Sequence, residues 1–393
     1  VSGSAPRTTA QPTTAQPTTA PDTTAPDTAL RRLGRRLLQV NVLLLLALPI
    51  ALLYFPRFVD NTTLLQVVAT ANIFVMFAAS WDILSGYTGQ VSFGHAAFIG
   101  TGAYTVALLS KYSPEVSNEL ALLVGTSTAA LLGVAIGVPC LRLKGPYLAL
   151  ATLSVAAALV QLTFIFKRQT GGEDGIANVK AVTEGAVTGP VGEFLGRLVL
   201  GPLTFDGLGG FDQYIYVSYF VSLVVMVVMV GGLMALGYGR RGLVLRSIAQ
   251  DELAAEAAGV PLTRYKLGAF VLSAACAGLA GGLYAQIRGT VALDLLAVDL
   301  SLLVIIIAAF GGAGTIIGPA IGAYLVVLLQ SYYLDRISEV YVEHPELKIG
   351  TFALLLIIVL IVQPRGLVPP LLQRLSGRGS GARAAGAALT ETP

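Results

Sequence analysis

Catalysis needs a nucleophile, a base or a metal held among neighbours that tune it, and this sequence offers no such set. Its only histidines, His95 and His344, belong to no HExxH or related pair, and no GxxxxGK[ST] phosphate loop occurs. Cys140 and Cys276 lie in or beside apolar runs without CxxC or Cys/His spacing, and read as small buried residues. The chain therefore cannot hydrolyse ATP by itself. We assign it no catalytic, cofactor-binding or metal residue, and set aside a membrane-embedded enzyme. What remains is the chemistry of binding and coupling, concentrated in two segments.

The first is SGYTGQVSFGHAAFIGTGAY, residues 85–104, where five glycines and several hydroxyl or amide side chains enter an otherwise apolar region. Non-helical backbone at membrane depth is tolerated only where protein or a water-filled cavity satisfies its polar groups, so a broken helix here points to a solute path. The other reading is a cytoplasmic turn leading into a packed helix, with Gly94, Gly100 and Gly102 letting neighbours approach. Both stand on the residues alone. Candidates for the path are Asn72, Tyr87, Thr88, Gln90, Ser92 and His95; His95 alone is no evidence of a metal site. Asp82 is the main ionisable residue inside an apolar run, and Gln161 and Gln286 join Asn72 as buried amides.

The second is RSIAQDELAAEAAGVPLTRYK, residues 246–266. Alanine, leucine and glutamate through its centre favour a helix, and Gly259 followed by Pro261 ends it. On a helical wheel Leu253, Ala254 and Ala257 share a side with Gln250, while Asp251, Glu252 and Glu256 lie toward the other. Such an amphipathic element docks into a partner or is a solvated loop helix; periodicity does not separate the two.

The elements that must position these segments are membrane helices. Hydrophobic residues make up 55% of the 393 and charged residues only 12%, about half the charged share of a soluble domain. Apolar stretches at 37–55, 64–84, 94–110, 119–139, 147–166, 214–237, 267–287, 300–334 and 349–363 recur with short polar breaks. Most are long enough to cross about 30 Å of hydrocarbon. The fold class is all-α: a polytopic membrane protein of about 8–10 transmembrane or partial membrane helices.

Lys and Arg near membrane helices are retained on the cytoplasmic side. Arg31, Arg32, Arg35 and Arg36 put the N-terminus inside, and with no small-residue cleavage site after them the first apolar run is a retained helix. Counting onward places Arg142, Lys144, Arg240, Arg241, Arg246, Arg264, Lys266, Arg365 and Arg374 in the cytoplasm. The net charge of +3 is thus a topology signal, and nucleic-acid binding is not supported. Segment 167–213 falls outside as a Gly-rich loop with a little structure of its own. Its acids include Glu173, Asp174, Glu184, Glu193, Asp206 and Asp212.

The run 300–334 is interrupted by GGAGTIIGP, residues 311–319, and makes two short passages. AFGGAGTIIGPAIGAY, residues 309–324, echoes the first segment in its early FG and final GAY, which chance among Gly-rich helices also explains. If the echo is real, the chain holds two related halves, each with one interrupted helix. GxxxG spacings at Gly133/Gly137, Gly278/Gly282 and Gly314/Gly318/Gly322 mark tight helix contact, within the chain or with a second subunit. Residues 1–29 form a disordered Thr/Ala/Pro-rich cytoplasmic tail, 30–370 the transmembrane domain with a cytoplasmic loop at 238–266, and 371–393 a flexible cytoplasmic tail.

SWDILSGYTGQVSFGHAAFIGTGAY, LRLKGPYLALATLS, TGGEDGI, the Ala/Glu loop to Gly259, FGGAGTIIGP and VQPRGLVP, taken in order, resemble a LivM-type permease of branched-chain amino acid ABC importers. The similarity runs from about residue 40 to about 370. It implies ATP-driven uptake of leucine, isoleucine and valine across the prokaryotic cytoplasmic membrane, with membrane lipid around the chain. It also implies a second related permease, two cytoplasmic ATPase subunits that use the ATP, and an external solute-binding protein. In such importers a loop of the form EAAxxxG couples ATPase to permease. Ala254, Ala255 and Gly259 match its small residues, with Asp251, Glu252 and Glu256 keeping it acidic, while Leu253 stands where the motif has Glu. Glu173 and Asp174 are the candidates for meeting the binding protein. Sister permeases for urea or short amides share most of these blocks. An ion-coupled secondary amino-acid carrier would have the same topology but should depend on buried charges, which are scarce here.

Overall fold

The structure, a computed structural model, describes residues 47–59, 61–140, 142–143, 145–182 and 210–333, with 354, 361, 366 and 367 as isolated positions. The tails at 1–29 and 371–393, the arginine cluster at 31–36, most of the runs 37–55 and 349–363, Lys144 and His344 lie outside the described residues. A chain with no water to bind its backbone must satisfy N–H and C=O within helices, and these residues do so. The apolar helices are α1 (Ala47–Arg57), α2 (Thr62–Thr88), α3 (Ala96–Tyr112), α4 (Asn118–Cys140), α5 (Pro146–Ile165) and α6 (Gly210–Tyr238). After the polar pieces α7 (Arg240–Gln250) and α8 (Glu252–Ala257) come α9 (Leu262–Arg288), α10 (Val298–Gly311) and α11 (Ile317–Leu328). Among the described residues five helices, α2, α4, α5, α6 and α9, are long and apolar enough to cross a membrane, and α1, α10 and α11 are shorter apolar helices.

The order of burial says which helix organises the rest. Over its apolar window α2 is 83% buried, whereas α4 and α5 are 33% and 28% buried and form the outer wall. Asn61 caps α2 by accepting from Leu64 N at 3.2 Å, and Gly89 ends it in the left-handed conformation at φ 71°. Glycines set the spacing of α3, α4 and α9. A Cβ on Gly102 would lie 2.1 Å from the Gly278 carbonyl oxygen, and one on Gly281 would lie 1.9 Å from that of Ile99. Gly133 and Gly278 press on Ala274 and Ala129 in the same way. At these positions the GxxxG spacings serve helix contact within the chain.

The start of the 167–213 loop does carry structure. A single helical turn, Lys167–Thr170, leads into β1 (Ile176–Ala177), which pairs antiparallel with β2 (Thr290–Val291) after α9. Asn118 Nδ2 donates to Ala181 O, and Lys180 N to Ser110 Oγ, so the strand is fastened to the ends of α3 and α4. Glu173 and Asp174 remain exposed at its tip.

One expectation needs correction. The 246–266 segment is not one helix ending at Gly259: the helix from Arg240 stops at Gln250, and Asp251 adopts extended backbone and caps a second, six-residue helix. A short carboxylate that can accept from the next turn's N–H groups favours that cap over a helix interior.

Candidate functional site

The chain leaves α2 at Gly89, and residues 89–95 run back along the last turns of that helix before α3 begins at Ala96. Features of both readings of 85–104 are present: residues 89–95 are non-helical and largely buried, and Gly94, Gly100 and Gly102 each let a neighbour approach closely. Other elements satisfy the polar groups of 89–95. Trp81 Nε1 donates to Ser92 O at 2.9 Å, Ser85 Oγ to Gln90 O at 3.0 Å, and Phe93 N to Thr152 Oγ1 of α5 at 3.1 Å. Ala96 N donates to Ser301 Oγ of α10 at 2.8 Å. Gly94 is where this backbone comes nearest to α5: a Cβ there would lie 1.9 Å from the Thr152 carbonyl oxygen. Thr152 falls inside LRLKGPYLALATLS and Ser80 opens SWDILSGYTGQVSFGHAAFIGTGAY, whereas nothing in the sequence singles out Ser301.

His95 is fully buried, stacked on Phe77 at 5.1 Å between centroids and edge-on to Phe98 at 5.6 Å. Ser80 Oγ lies 2.7 Å from Phe77 O and 2.9 Å from His95 Nε2, and the imidazole tautomer decides which atom donates in the second contact. His95 Nδ1 has no hydrogen-bond partner among the described residues. Gln90 Oε1 and Ser92 Oγ are likewise buried and unpartnered, so three orphaned polar atoms lie along six residues.

The six path candidates are all buried, with exposures from 0 to 7%, but they do not form one cluster. Gln90, Ser92 and His95 share the interruption. Thr88 Oγ1 donates back to Leu84 O within its own helix. Tyr87 turns toward α7, accepting from Arg246 Nη2 at 2.8 Å, with the guanidinium 4.5 Å from its ring centroid. Asn72, well up the same helix, donates to Ser222 Oγ of α6 at 3.0 Å and accepts from Tyr324 of α11.

A second interruption faces the first. Helix α10 ends at Gly311, residues 312–316 turn, and α11 returns antiparallel, so close that a Cβ on Gly311 would lie 1.8 Å from the Gly318 carbonyl oxygen. The turn is held by Asp82 of α2. Gly314 N donates to its Oδ1 at 2.6 Å and Ile316 N to its Oδ2 at 2.8 Å. Asp82 thus anchors backbone, and both interruptions pack on the same two turns of α2.

Between α7 and α9, α8 stands away from the body of the chain. Asp251 Oδ1 accepts from Leu253 N at 2.9 Å and Ala254 N at 3.0 Å, Glu252 pairs with Lys266, and Ala255 alone is buried. Leu253 is 73% exposed, and Ala254, Glu256 and Ala257 are exposed beside it. Gly259 follows at φ 83° with open space around it, and Pro261 starts α9. A short capped helix with its apolar side turned outward can seat in a partner's groove.

Comparison with known proteins agrees with this architecture. The family described as "Branched-chain amino acid transport system / permease component" matches residues 63–361. The chain is 30% identical over 354 residues to the high-affinity branched-chain amino acid transport system permease protein LivM of Salmonella typhimurium, covering 87% of this chain and 79% of that protein. LivM of Escherichia coli is 29% identical over 357 residues, with the same two coverages. A probable LivH permease of Methanocaldococcus jannaschii is 29% identical over 229 residues, 52% of this chain and 70% of that one. No solved structure matches. With five apolar spans among its described residues and a family match over most of its length, the chain is an integral membrane protein and belongs to the permease components of the branched-chain amino acid transport systems.

Proposed function

We propose that this chain is one permease subunit of an ABC importer that takes up leucine, isoleucine and valine, with two cytoplasmic ATPase subunits supplying the energy. The observation that carries the reading is the outward-facing α8. Its cap at Asp251, its tie from Glu252 to Lys266 and its exit at Gly259 hold Leu253 and Ala254 out for an ATPase groove. Leucine in place of the usual glutamate gives that contact an apolar centre.

The second, related permease packs against α4 and α5, the least covered spans. There Ser154 and Gln161 are exposed on a helix that lipid alone would disfavour. The solute path opens between the two permeases beside 89–95, where Gln90, Ser92 and His95 supply unpartnered polar atoms. Both termini and α8 are cytoplasmic, and the exposed Glu173 and Asp174 meet an external solute-binding protein. The domain runs from 30 to 370 between two tails, and the chain binds no cofactor of its own.

Purification of the tagged protein in mild detergent, followed by mass spectrometry of what accompanies it, tests the reading. An ATPase pair and a second permease are expected, and Gly259→Val should retain them while uncoupling ATP hydrolysis from uptake. Recovery of the chain alone, with leucine uptake following an ion gradient, would overturn it in favour of a secondary carrier. Full uptake of urea or a short amide without leucine would keep the ABC assembly and change the solute.

A further inference from the structure

Where α6 ends and α9 begins, the chain leaves an open cavity of about 560 Å³ against α7. Its rim holds two cations, Arg241 and Arg264, both exposed, and its floor is apolar, with Leu236, Tyr265, Gly268 and Leu272. No acidic residue lines it. The neighbouring carboxylates are otherwise engaged, Glu252 with Lys266 and Asp251 in capping α8. Among the described residues neither Arg241 nor Arg264 has an ion-pair partner.

Depth distinguishes the possible occupants. From Arg264 to Leu272 the floor descends eight residues of helix, about 12 Å, into a span that crosses the membrane. A soluble partner can reach the rim but not this floor, and a free phosphate ion has no use for it. A molecule with an anionic head and a hydrocarbon tail satisfies both. The groove is also open in the way an acyl chain requires, because a Cβ added to Gly268 would meet no atom within 4 Å.

We propose that this cavity is a binding site for an anionic phospholipid of the cytoplasmic leaflet. Its phosphate is held between Arg241 and Arg264, and one acyl chain lies along Gly268 and Leu272. The choice of leaflet rests on the orientation proposed above, whereas binding itself does not, so a lipid result and a topology result can fail separately.

The test uses the full-length protein, delipidated in detergent and titrated with phosphatidylglycerol or phosphatidylcholine, with bound lipid counted by native mass spectrometry. Phosphatidylglycerol should bind in preference. The double variant Arg241→Gln/Arg264→Gln should weaken it on the order of 30-fold, the effect of two surface cations. Gly268→Leu fills the floor with both charges intact and should lower binding of either lipid without lowering the melting temperature. Equal binding of the two lipids would overturn the proposal, as would undiminished phosphatidylglycerol binding by both variants. Displacement by inorganic phosphate at equal concentration would make the site one for the anion alone and would overturn it too.

Discussion

The two interruptions, 89–95 and 312–316, solve one problem in opposite ways. The first spreads its polar groups over side chains from three helices, Trp81 and Ser85 of α2, Thr152 of α5 and Ser301 of α10. The second relies on one carboxyl group, Asp82, for two of its N–H groups, and holds Ile316 at φ 60°, a conformation a β-branched side chain resists. The first should loosen when one partner goes, whereas the second should fail as a unit. The first also keeps unpartnered polar atoms that a moving solute could use.

Asp82→Ala is the sharpest way to break this contrast. It strips two buried N–H groups of their acceptor and should cost about 3–5 kcal/mol, read as a large drop in the detergent melting temperature. Asp82→Asn, which keeps one acceptor, should recover part of that. Gly94→Ala drives a methyl group into the Thr152 backbone and should cost about 2–3 kcal/mol, with leucine uptake lost in vesicles. Gly314→Ala forces a side chain into the left-handed region at φ 83° and should cost about 1–2 kcal/mol by the same melting assay. Trp81→Phe removes one of several partners of the first interruption and should cost only about 1 kcal/mol. If Trp81→Phe proved as damaging as Asp82→Ala, the first interruption would not be distributed at all.

Much of this was legible beforehand because membrane helices announce themselves locally. The stretch 119–139 became Asn118–Cys140, 147–166 became Pro146–Ile165, and the cluster at 311–319 marked the turn between α10 and α11. Asp82 stood out as an ionisable residue in an apolar run, but its partners, Gly314 and Ile316, lie more than 200 residues away and no local pattern names them. Residues 85–104 allowed two readings because glycine serves both a turn and a close helix contact. Here it does both, Gly89 ending α2 and Gly102 meeting Gly278. The path candidates were chosen by polarity within an apolar region, which is why Asn72, a bond between three helices, was grouped with Gln90 and Ser92. The break at Asp251 was readable as an Asp before an Ala/Glu helix, yet helix propensity on both sides hid it.

Helix α7 ties two distant parts of the chain to one element. Its Arg246 grips Tyr87 at the foot of α2, two residues before the first interruption, while its last residue, Gln250, adjoins the Asp251 cap of α8. Eleven helical residues make a stiff rod about 16 Å long. It is packed near one end, where a Cβ on Gly242 would lie 2.1 Å from the Gly237 carbonyl oxygen. Arg246 lies between that packed end and the junction with α8, so the grip on Tyr87 and the approach to the Asp251 cap sit on one stiff element with no separate relay between them.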